Sequence, residues 1–173
     1  MAEDIRDIWF AGGCFWGAEK YFKLLKGVVG TEVGYANGRT ENPTYKQVYT
    51  DTTGYAECVH VTYDADTISL RRLTEMFFRA IDPTSLNRQG EDEGTRYRTG
   101  AYYSEERDAA VLKEVFDEQS LIYGKLAVEL EPLKVFVRAE DYHQDYLAKN
   151  PDGYCHLRPE LFEYARRMNY VES

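Results

Sequence analysis

Residues 12–17 of the chain read Gly-Gly-Cys-Phe-Trp-Gly and join a predicted strand to a predicted helix. The preceding residues, 5–10, are apolar enough for a buried strand, and residues 18–25 have the apolar periodicity of an amphipathic helix. Cys14 therefore lies at or near a helix N-terminus. Backbone N–H groups and the helix dipole favour an anion there, so the placement predicts a thiolate with a lowered pKa.

Two interpretations of Cys14 follow from this placement. A lone cysteine is often a small buried hydrophobe without a chemical role. The flanking glycines, however, allow a ligand to approach the backbone closely. Phe15 and Trp16 offer an apolar wall beside the sulfur. The second interpretation is a nucleophile next to an apolar pocket.

Length and composition indicate one globular domain spanning residues 1–173. The chain is 43% hydrophobic and 29% charged, which is ordinary for a soluble protein. Its net charge of −9 argues against nucleic-acid binding, which needs a basic surface. No apolar run approaches the ~20 residues of a membrane span, so no membrane interaction is expected.

The cysteine count and the N-terminus bear on location. Met1-Ala2-Glu3-Asp4 lacks the basic and apolar regions of a signal peptide, so a cytoplasmic protein is expected. Three cysteines, an odd number, favour catalytic or redox use over a disulfide framework. We expect neither a cofactor nor a metal, and since no assembly motif is present, we expect a monomer.

The remaining pattern interleaves strands and helices of unequal length. Strands are predicted at 28–35, 57–63, 98–103, 127–130 and 135–137, and helices at 69–81, 104–123, 139–149 and 159–168, with Ser69 and Ser104 as N-caps. A long polar loop covers 84–95 and suggests a functional loop. The prediction is an α+β fold: a single-domain, two-layer α/β sandwich around a mixed sheet, with a long coil-rich C-terminal segment.

Several polar residues could assist a nucleophilic Cys14. Glu57 begins a strand with apolar neighbours, so burial would raise its pKa and allow it to donate a proton. A solvated glutamate at the strand end is the alternative. Asp92 lies in the long loop. Tyr45 and Tyr97 could donate uncharged hydrogen bonds, or they could be packing residues.

The positions of the other cysteines and of the histidines also suggest roles. His143 could be a general base or a structural residue, and His60 is interpreted as a sheet residue. Cys155 lies in a turn-rich and mobile segment, from which it could reach an oxidised Cys14 or remain a free surface thiol. His156 is interpreted as its surface neighbour. Cys58 is predicted to be buried and inert.

The motif at 13–17 resembles the active-site motif of the A-type peptide methionine sulfoxide reductases. Six other segments occur in that family's order: 34–38 (GYANG), 42–45 (NPTY), 54–57 (GYAE), 89–98, 140–144 (EDYHQ) and 150–155 (NPDGYC). The resemblance extends from about Ile8 to Cys155. It implies a thiol-dependent enzyme that reduces the S epimer of methionine sulfoxide in oxidised proteins and peptides, with the free amino acid as a further candidate substrate.

The resemblance also implies a role for each matching residue. Cys14 attacks the sulfoxide sulfur and becomes a sulfenic acid. Glu57 protonates the sulfoxide oxygen. The other implied roles are a methyl pocket (Phe15, Trp16), hydrogen bonds to the oxygen (Tyr45, Tyr97), polar organisation (Asp92) and resolution of the sulfenic acid (Cys155). His143 could be catalytic, orient the site or be structural. Thioredoxin would then reduce the Cys14–Cys155 disulfide.

Three positions depart from the family pattern. Asn37 stands where the family often has glycine, Tyr55 replaces a common histidine, and Arg96 replaces a common glutamine. No cysteine follows Cys155, which predicts recycling through a single resolving thiol.

Two other functions remain open on the residues alone. Cys14 with His143 as base would suit an acyl transferase or thiol hydrolase. A zinc module would instead use two cysteines and two histidines (Cys58, His60, Cys155, His156).

Overall fold

A six-stranded sheet organises the computed structural model, which describes residues 4–171. The strands are β1 (Ile5–Gly12), β2 (Val28–Ala36), β3 (Ala56–Asp64), β4 (Arg88–Gln89), β5 (Asp92–Glu93), β6 (Thr99–Tyr103), β7 (Glu129–Pro132) and β8 (Phe136–Arg138). The main sheet has the order β7-β6-β1-β3-β2-β8, while β4 and β5 form a separate hairpin. Only the β6–β7 pair is parallel within this sheet as described, so the sheet is mixed, as predicted.

Six helices accompany the sheet in the described part of the chain. They are α1 (Phe15–Lys23), α2 (Tyr45–Tyr49), α3 (Leu70–Arg79), α4 (Glu106–Tyr123), α5 (Tyr146–Lys149) and α6 (Pro159–Val171). None of these helices combines the length and hydropathy that a bilayer crossing requires.

Strand β1 lies in the middle of the sheet and is buried on both faces. Because successive side chains point to opposite faces, Ile8 and Phe10 join the main core. Trp9 and Ala11 join a smaller cluster on the other face. Gly12 pairs with Thr99 at the end of the strand. The turn that follows is therefore anchored by a rigid central strand.

The predicted strands are all present, but some helices differ from the sequence prediction. Ser69 caps α3 by accepting a hydrogen bond from Arg72 N, as expected. Ser104 does not cap α4: the N-cap is Glu105, and no side-chain capping bond forms within the described residues. Gly124 ends α4 at a positive φ of 80°, which a glycine adopts without steric cost.

The predicted helix at 139–149 is interrupted. A 3₁₀ turn spans Asp141–His143, and α5 starts only at Tyr146. Between them, the Gln144 side chain accepts a hydrogen bond from Val33 N and donates one to Val33 O. These two bonds give both backbone groups of Val33 in β2 a hydrogen-bond partner. Asp145 then takes a left-handed conformation with φ 54°. A non-local hydrogen bond therefore overrides the local helical pattern.

The predicted polar loop at 84–95 is more ordered than expected. Its β4–β5 hairpin is closed by a hydrogen bond from Gly94 N to Asn87 O. A 3₁₀ turn at Thr95–Tyr97 leads into β6. This loop carries Asp92 and Tyr97 toward the end of β1.

Candidate active site

Cys14 occupies the N-cap position of α1, immediately after β1. Gly13 makes the turn with a φ of 84°, a conformation that strains other residues. Ala18 N donates to Cys14 O at 3.4 Å as the helix starts. The Cys14 side chain is only 6% exposed. The predicted strand–turn–helix placement is confirmed.

The prediction that the Cys14 pKa is lowered is wrong. Burial raises the pKa well above its ordinary value, and the nearby Glu57 carboxylate raises it further. The Trp16 backbone N–H acts in the opposite direction but is outweighed. Sequence shows the helix start but not the depth of burial, and desolvation disfavours the charged form.

Glu57 lies beside this turn on β3, opposite Tyr35 of β2. It is 1% exposed, so the alternative of a solvated strand-end glutamate is wrong. Its Oε1 accepts a hydrogen bond from Phe15 N at 3.1 Å, while its buried Oε2 has no partner among the described residues. Burial raises the Glu57 pKa to about 8. At neutral pH the carboxyl is therefore mostly protonated, and since Oε1 is an acceptor, the proton belongs on Oε2.

Tyr45 and Tyr97 come from separate elements to the same region. Tyr45 begins α2, and its backbone N–H donates to Glu140 Oε2 at 3.0 Å. Tyr97 ends the 3₁₀ turn before β6. Burial and then the Glu57 carboxylate raise the pKa of both phenols above the ordinary range. Both hydroxyls are consequently protonated donors at neutral pH.

Asp92 also lies near this cluster. Its Oδ1 accepts a hydrogen bond from Tyr154 Oη at 2.9 Å. Its Oδ2 is buried and, within the described ranges, has no hydrogen-bond partner. The Asp92 charge contributes to the raised pKa of both Glu57 and Cys14.

An aromatic group surrounds the other side of the turn. The Phe15 ring is 1% exposed and lies 5.2 Å from the His143 ring. Trp16 stacks on Tyr146 at 3.9 Å, and its Nε1 donates to His143 Nδ1 at 3.0 Å. Burial lowers the His143 pKa, so the ring is neutral. His143 thus fixes the indole orientation through a nitrogen that is no longer free to act as a base.

Sequence reasoning missed Glu140 and Tyr35 as site residues. Tyr35 Oη donates to Glu140 Oε1 at 2.8 Å, and Glu140 Oε2 holds Tyr45 N. Partial burial raises the Glu140 pKa, but the hydrogen bonds from Tyr45 N, from its own backbone N–H and from Tyr35 Oη together outweigh burial, so the pKa is lowered. The signal was available: Glu140 stands three residues before His143 in a segment already singled out.

Arg96 was noted only as a departure from the family pattern, but it is buried within the site. Its guanidinium lies over the rings of Tyr49 at 4.2 Å and Tyr97 at 4.3 Å. Its Nη1 donates to Asp51 Oδ2 at 2.5 Å. Its positive charge lowers the Glu57 pKa against the effect of burial.

Cys155 and His156, which precede α6, lie against the turn formed by residues 12–17. Cys155 is half-buried, and its Sγ lies 2.9 Å from the point where a Gly17 side chain would begin. His156 Nε2 lies 3.0 Å from Gly12 O. The interpretation of His156 as a surface residue is therefore wrong. All three cysteines are free, and Cys58 is fully buried, as predicted.

Neither alternative function gains support from this geometry. His143 Nδ1 is engaged by Trp16, which argues against a Cys14–His143 acyl transferase. Within residues 4–171, no group of three or more His, Cys, Asp or Glu side chains is placed to hold a metal ion. The zinc module is wrong for this part of the chain.

Sequence comparison identifies relatives over almost the whole chain. The model of the family described as peptide methionine sulfoxide reductase matches residues 6–172. A curated peptide methionine sulfoxide reductase MsrA from Clostridium acetobutylicum is 51% identical over 160 residues, which cover 92% of this chain and 99% of that protein.

Structural comparison gives the same grouping. Mxr1 from Saccharomyces cerevisiae in its reduced form matches with a TM-score of 0.84 and 40% identity, covering 89% of this chain and 91% of that one. Mxr1 in complex with Trx2 matches with a TM-score of 0.59 and 29% identity, covering 84% and 89%. The present thiol form is thus more similar to the reduced structure than to the complex.

Proposed function

The chain belongs to the peptide methionine sulfoxide reductase family, and on that premise we propose that it reduces the S epimer of methionine sulfoxide in oxidised proteins and peptides. One observation carries the proposal: a buried thiol at Cys14 lies beside a buried carboxyl at Glu57 whose pKa is about 8. A sulfoxide oxygen leaves sulfur only when it is protonated. A neutral acid beside a thiol supplies both requirements.

In the first step, Cys14 Sγ attacks the sulfoxide sulfur while Glu57 Oε2 gives its proton to the sulfoxide oxygen. The attack joins the two sulfur atoms. This sulfur–sulfur bond and the sulfur–oxygen bond of the substrate then break as the hydroxyl group moves to the Cys14 sulfur, which leaves a sulfenic acid on Cys14 and frees methionine. The methionine sulfur is reduced by two electrons, and the Cys14 sulfur is oxidised by two. The proton lost by the thiol returns to Glu57, so the site ends with its original proton count.

Neutral donors suit this reaction better than cations. Tyr45 and Tyr97 remain protonated because burial raises the pKa of both hydroxyls. They are proposed to hold the sulfoxide oxygen as it gains charge. Asp92 is proposed to organise the polar side of the site.

The aromatic side of the turn is proposed to select the epimer. A sulfoxide sulfur is tetrahedral and chiral, so three fixed contacts distinguish its two forms. Phe15 and Trp16 would receive the methyl group, while the oxygen donors lie on the Glu57 side. The Trp16 hydrogen bond to His143 supports this role because it prevents the indole from rotating.

In the second step, the Cys155 thiol attacks the sulfenic acid, forming a Cys14–Cys155 disulfide and releasing water. Thioredoxin is proposed to reduce this disulfide. The structural relative in complex with Trx2 supports a reductant of that class. The half-buried Cys155 beside α1 supports its role as the resolving thiol.

We further propose that residues 1–173 act as one domain, that the protein is a monomer and that it is cytoplasmic. The odd number of cysteines, three, supports a reducing compartment.

The test is reduction of separate S and R epimers of a methionine sulfoxide peptide with dithiothreitol, by wild type and by Cys14→Ser. Turnover of the S epimer alone, abolished by the substitution, is the expected result. Turnover of neither epimer would contradict the reaction, and equal turnover of both would contradict the proposed methyl pocket.

A further inference from the structure

The segment that carries Cys155 is held on both sides by hydrogen bonds to the active-site region. On one side, Tyr154 Oη donates to Asp92 Oδ1 at 2.9 Å. On the other, the His156 ring meets Gly12 O at 3.0 Å. Cys155 is therefore positioned by its two neighbours, although it makes no hydrogen bond of its own to Cys14.

Gly13 and Gly17 leave room for the segment that carries Cys155. Both belong to the turn formed by residues 12–17. A side chain at Gly13 would begin 3.0 Å from His156 Nε2, and one at Gly17 would begin 3.1 Å from His156 Nδ1. The same point above Gly17 is 2.9 Å from Cys155 Sγ. The imidazole and the thiol thus share the space that the glycines leave open.

The contact with Gly12 fixes the protonation of the His156 ring. A carbonyl oxygen only accepts hydrogen bonds, so Nε2 must carry the hydrogen. Nδ1 is then an unprotonated acceptor. It is buried and has no hydrogen-bond partner in the described part of the chain. This acceptor shares the space above Gly17 with the thiol of Cys155.

We propose that His156 is the general base of the disulfide-forming step, with Nδ1 accepting the proton of the Cys155 thiol. The Cys155 sulfur then bonds to the Cys14 sulfur, and the sulfur–oxygen bond of the sulfenic acid breaks. The leaving oxygen takes one proton back from the imidazolium and departs as water. His156 returns to its neutral form, and no outside oxidant is needed.

The acid–base properties of the two groups agree with this role. Burial raises the Cys155 pKa, so the thiol does not ionise unaided at neutral pH. Burial lowers the His156 pKa, which keeps the ring neutral and able to accept a proton. The Asp92 carboxylate is close enough to oppose that lowering, so it would stabilise the imidazolium that forms briefly.

This inference rests on the proposed recycling function, so the experiment separates the two. Wild type, His156→Gln and His156→Ala are mixed with a peptide carrying methionine-S-sulfoxide, without any reductant. Methionine formation measures the first step. Thiols counted after denaturation measure the second, since the three cysteines give two free thiols in the sulfenic acid and one in the disulfide.

The glutamine variant distinguishes a base from an anchor. Its amide N–H reproduces the Nε2 donor to Gly12 O but supplies no basic nitrogen. We expect methionine formation at the wild-type rate in both variants and disulfide formation slowed by about 100-fold in both. A wild-type disulfide rate in His156→Gln would overturn the base and leave only an anchor.

Three further results are decisive. An unchanged disulfide rate in His156→Ala, or an equal loss of both steps, would also overturn the proposal. If wild type forms methionine but no disulfide, the recycling function itself fails.

Discussion

Glu57→Gln should stabilise the protein by an amount that grows with pH. Glu57 titrates near 4.5 when unfolded and near 8 when folded, because burial disfavours the carboxylate. Ionising Glu57 therefore lowers the free energy of unfolding. This loss is absent below pH 4.5, grows between pH 4.5 and pH 8, and is complete above pH 8. The amide retains the acceptor for Phe15 N and removes the ionisation.

The size of the effect follows from the two pKa values. Each pKa unit corresponds to about 1.4 kcal/mol, so the full cost approaches about 5 kcal/mol. The variant should gain about 1 kcal/mol in free energy of unfolding at pH 5, about 3 at pH 7 and about 4 at pH 8.

Urea unfolding of both proteins at these pH values measures the difference. Glu19→Gln is a matched control, since Glu19 is also buried but its oxygens accept hydrogen bonds from Thr31 and Asp145 N. Burial also raises the Glu19 pKa, so this variant too loses an ionisation cost as the pH rises. Because one donor loses its acceptor in the variant, we expect a smaller net gain than in Glu57→Gln. Stability curves for wild type and Glu57→Gln that run parallel from pH 5 to pH 8 would refute the assigned protonation of Glu57.

The same variant tests the catalytic role. We expect the single-turnover rate of methionine formation to fall by about 100-fold or more at pH 7, with much less change in peptide affinity. The wild-type rate should also decline above pH 8 as the Glu57 proton is lost, and this decline should be missing in the variant. An unchanged rate would remove Glu57 as the acid.

Three other variants test separate contacts. Cys155→Ser should form one methionine per enzyme and turn over with dithiothreitol but not with thioredoxin; undiminished thioredoxin-driven turnover would show that Cys155 is dispensable. Arg96→Gln removes a charge that lowers the Glu57 pKa, so the decline in rate at alkaline pH should move to higher pH. Loss of the ion pair with Asp51 should also cost about 1–3 kcal/mol in the free energy of unfolding in urea. A decline that stays at the same pH would contradict the effect of the Arg96 charge on Glu57. Gly17→Ala places a methyl group against Cys155 Sγ and should slow disulfide formation more than methionine formation, so an equal change in both rates would argue against the contact.

The parts of the fold that sequence predicted well are those that local pattern determines. Apolar runs identified the core strands, and the turn around Cys14 followed from the switch in periodicity between β1 and α1. Helix α2 was missed although its signal is local. Thr44 and Gln47 form a capping box, in which each side chain accepts the other's backbone N–H.

The failures come from contacts between distant segments. The helical pattern at 139–149 gives no sign that Gln144 will complete the hydrogen bonds of Val33. The position of Cys14 at a helix start predicts a low pKa. Burial and the Glu57 charge, which depend on distant segments, raise the pKa instead. His156 was placed at the surface because its contact with Gly12 spans most of the chain.

Asn37, one of the three departures from the family pattern, shows how a residue other than glycine is accommodated at this position. Asn37 has a φ of 53°, which asparagine tolerates better than most residues other than glycine. Its side chain then accepts from Lys134 N and donates to Pro132 O, which joins β2 to the segment before β8. The replacement therefore adds contacts that a glycine lacks.

In the proposed mechanism, the turn formed by residues 12–17 separates the two half-reactions in space. Its Phe15 backbone N–H faces Glu57, where oxygen transfer to sulfur requires a protonated acid. Its glycines face His156 and Cys155, where disulfide formation requires a base. Cys14 lies on the turn between the two groups, next to Phe15, whose N–H binds Glu57, and two residues after Gly12, whose carbonyl oxygen meets His156. A change on one side should therefore alter one step and leave the other, which thiol and methionine counts together can detect. Asp92 is the exception, because its charge acts on both Glu57 and His156.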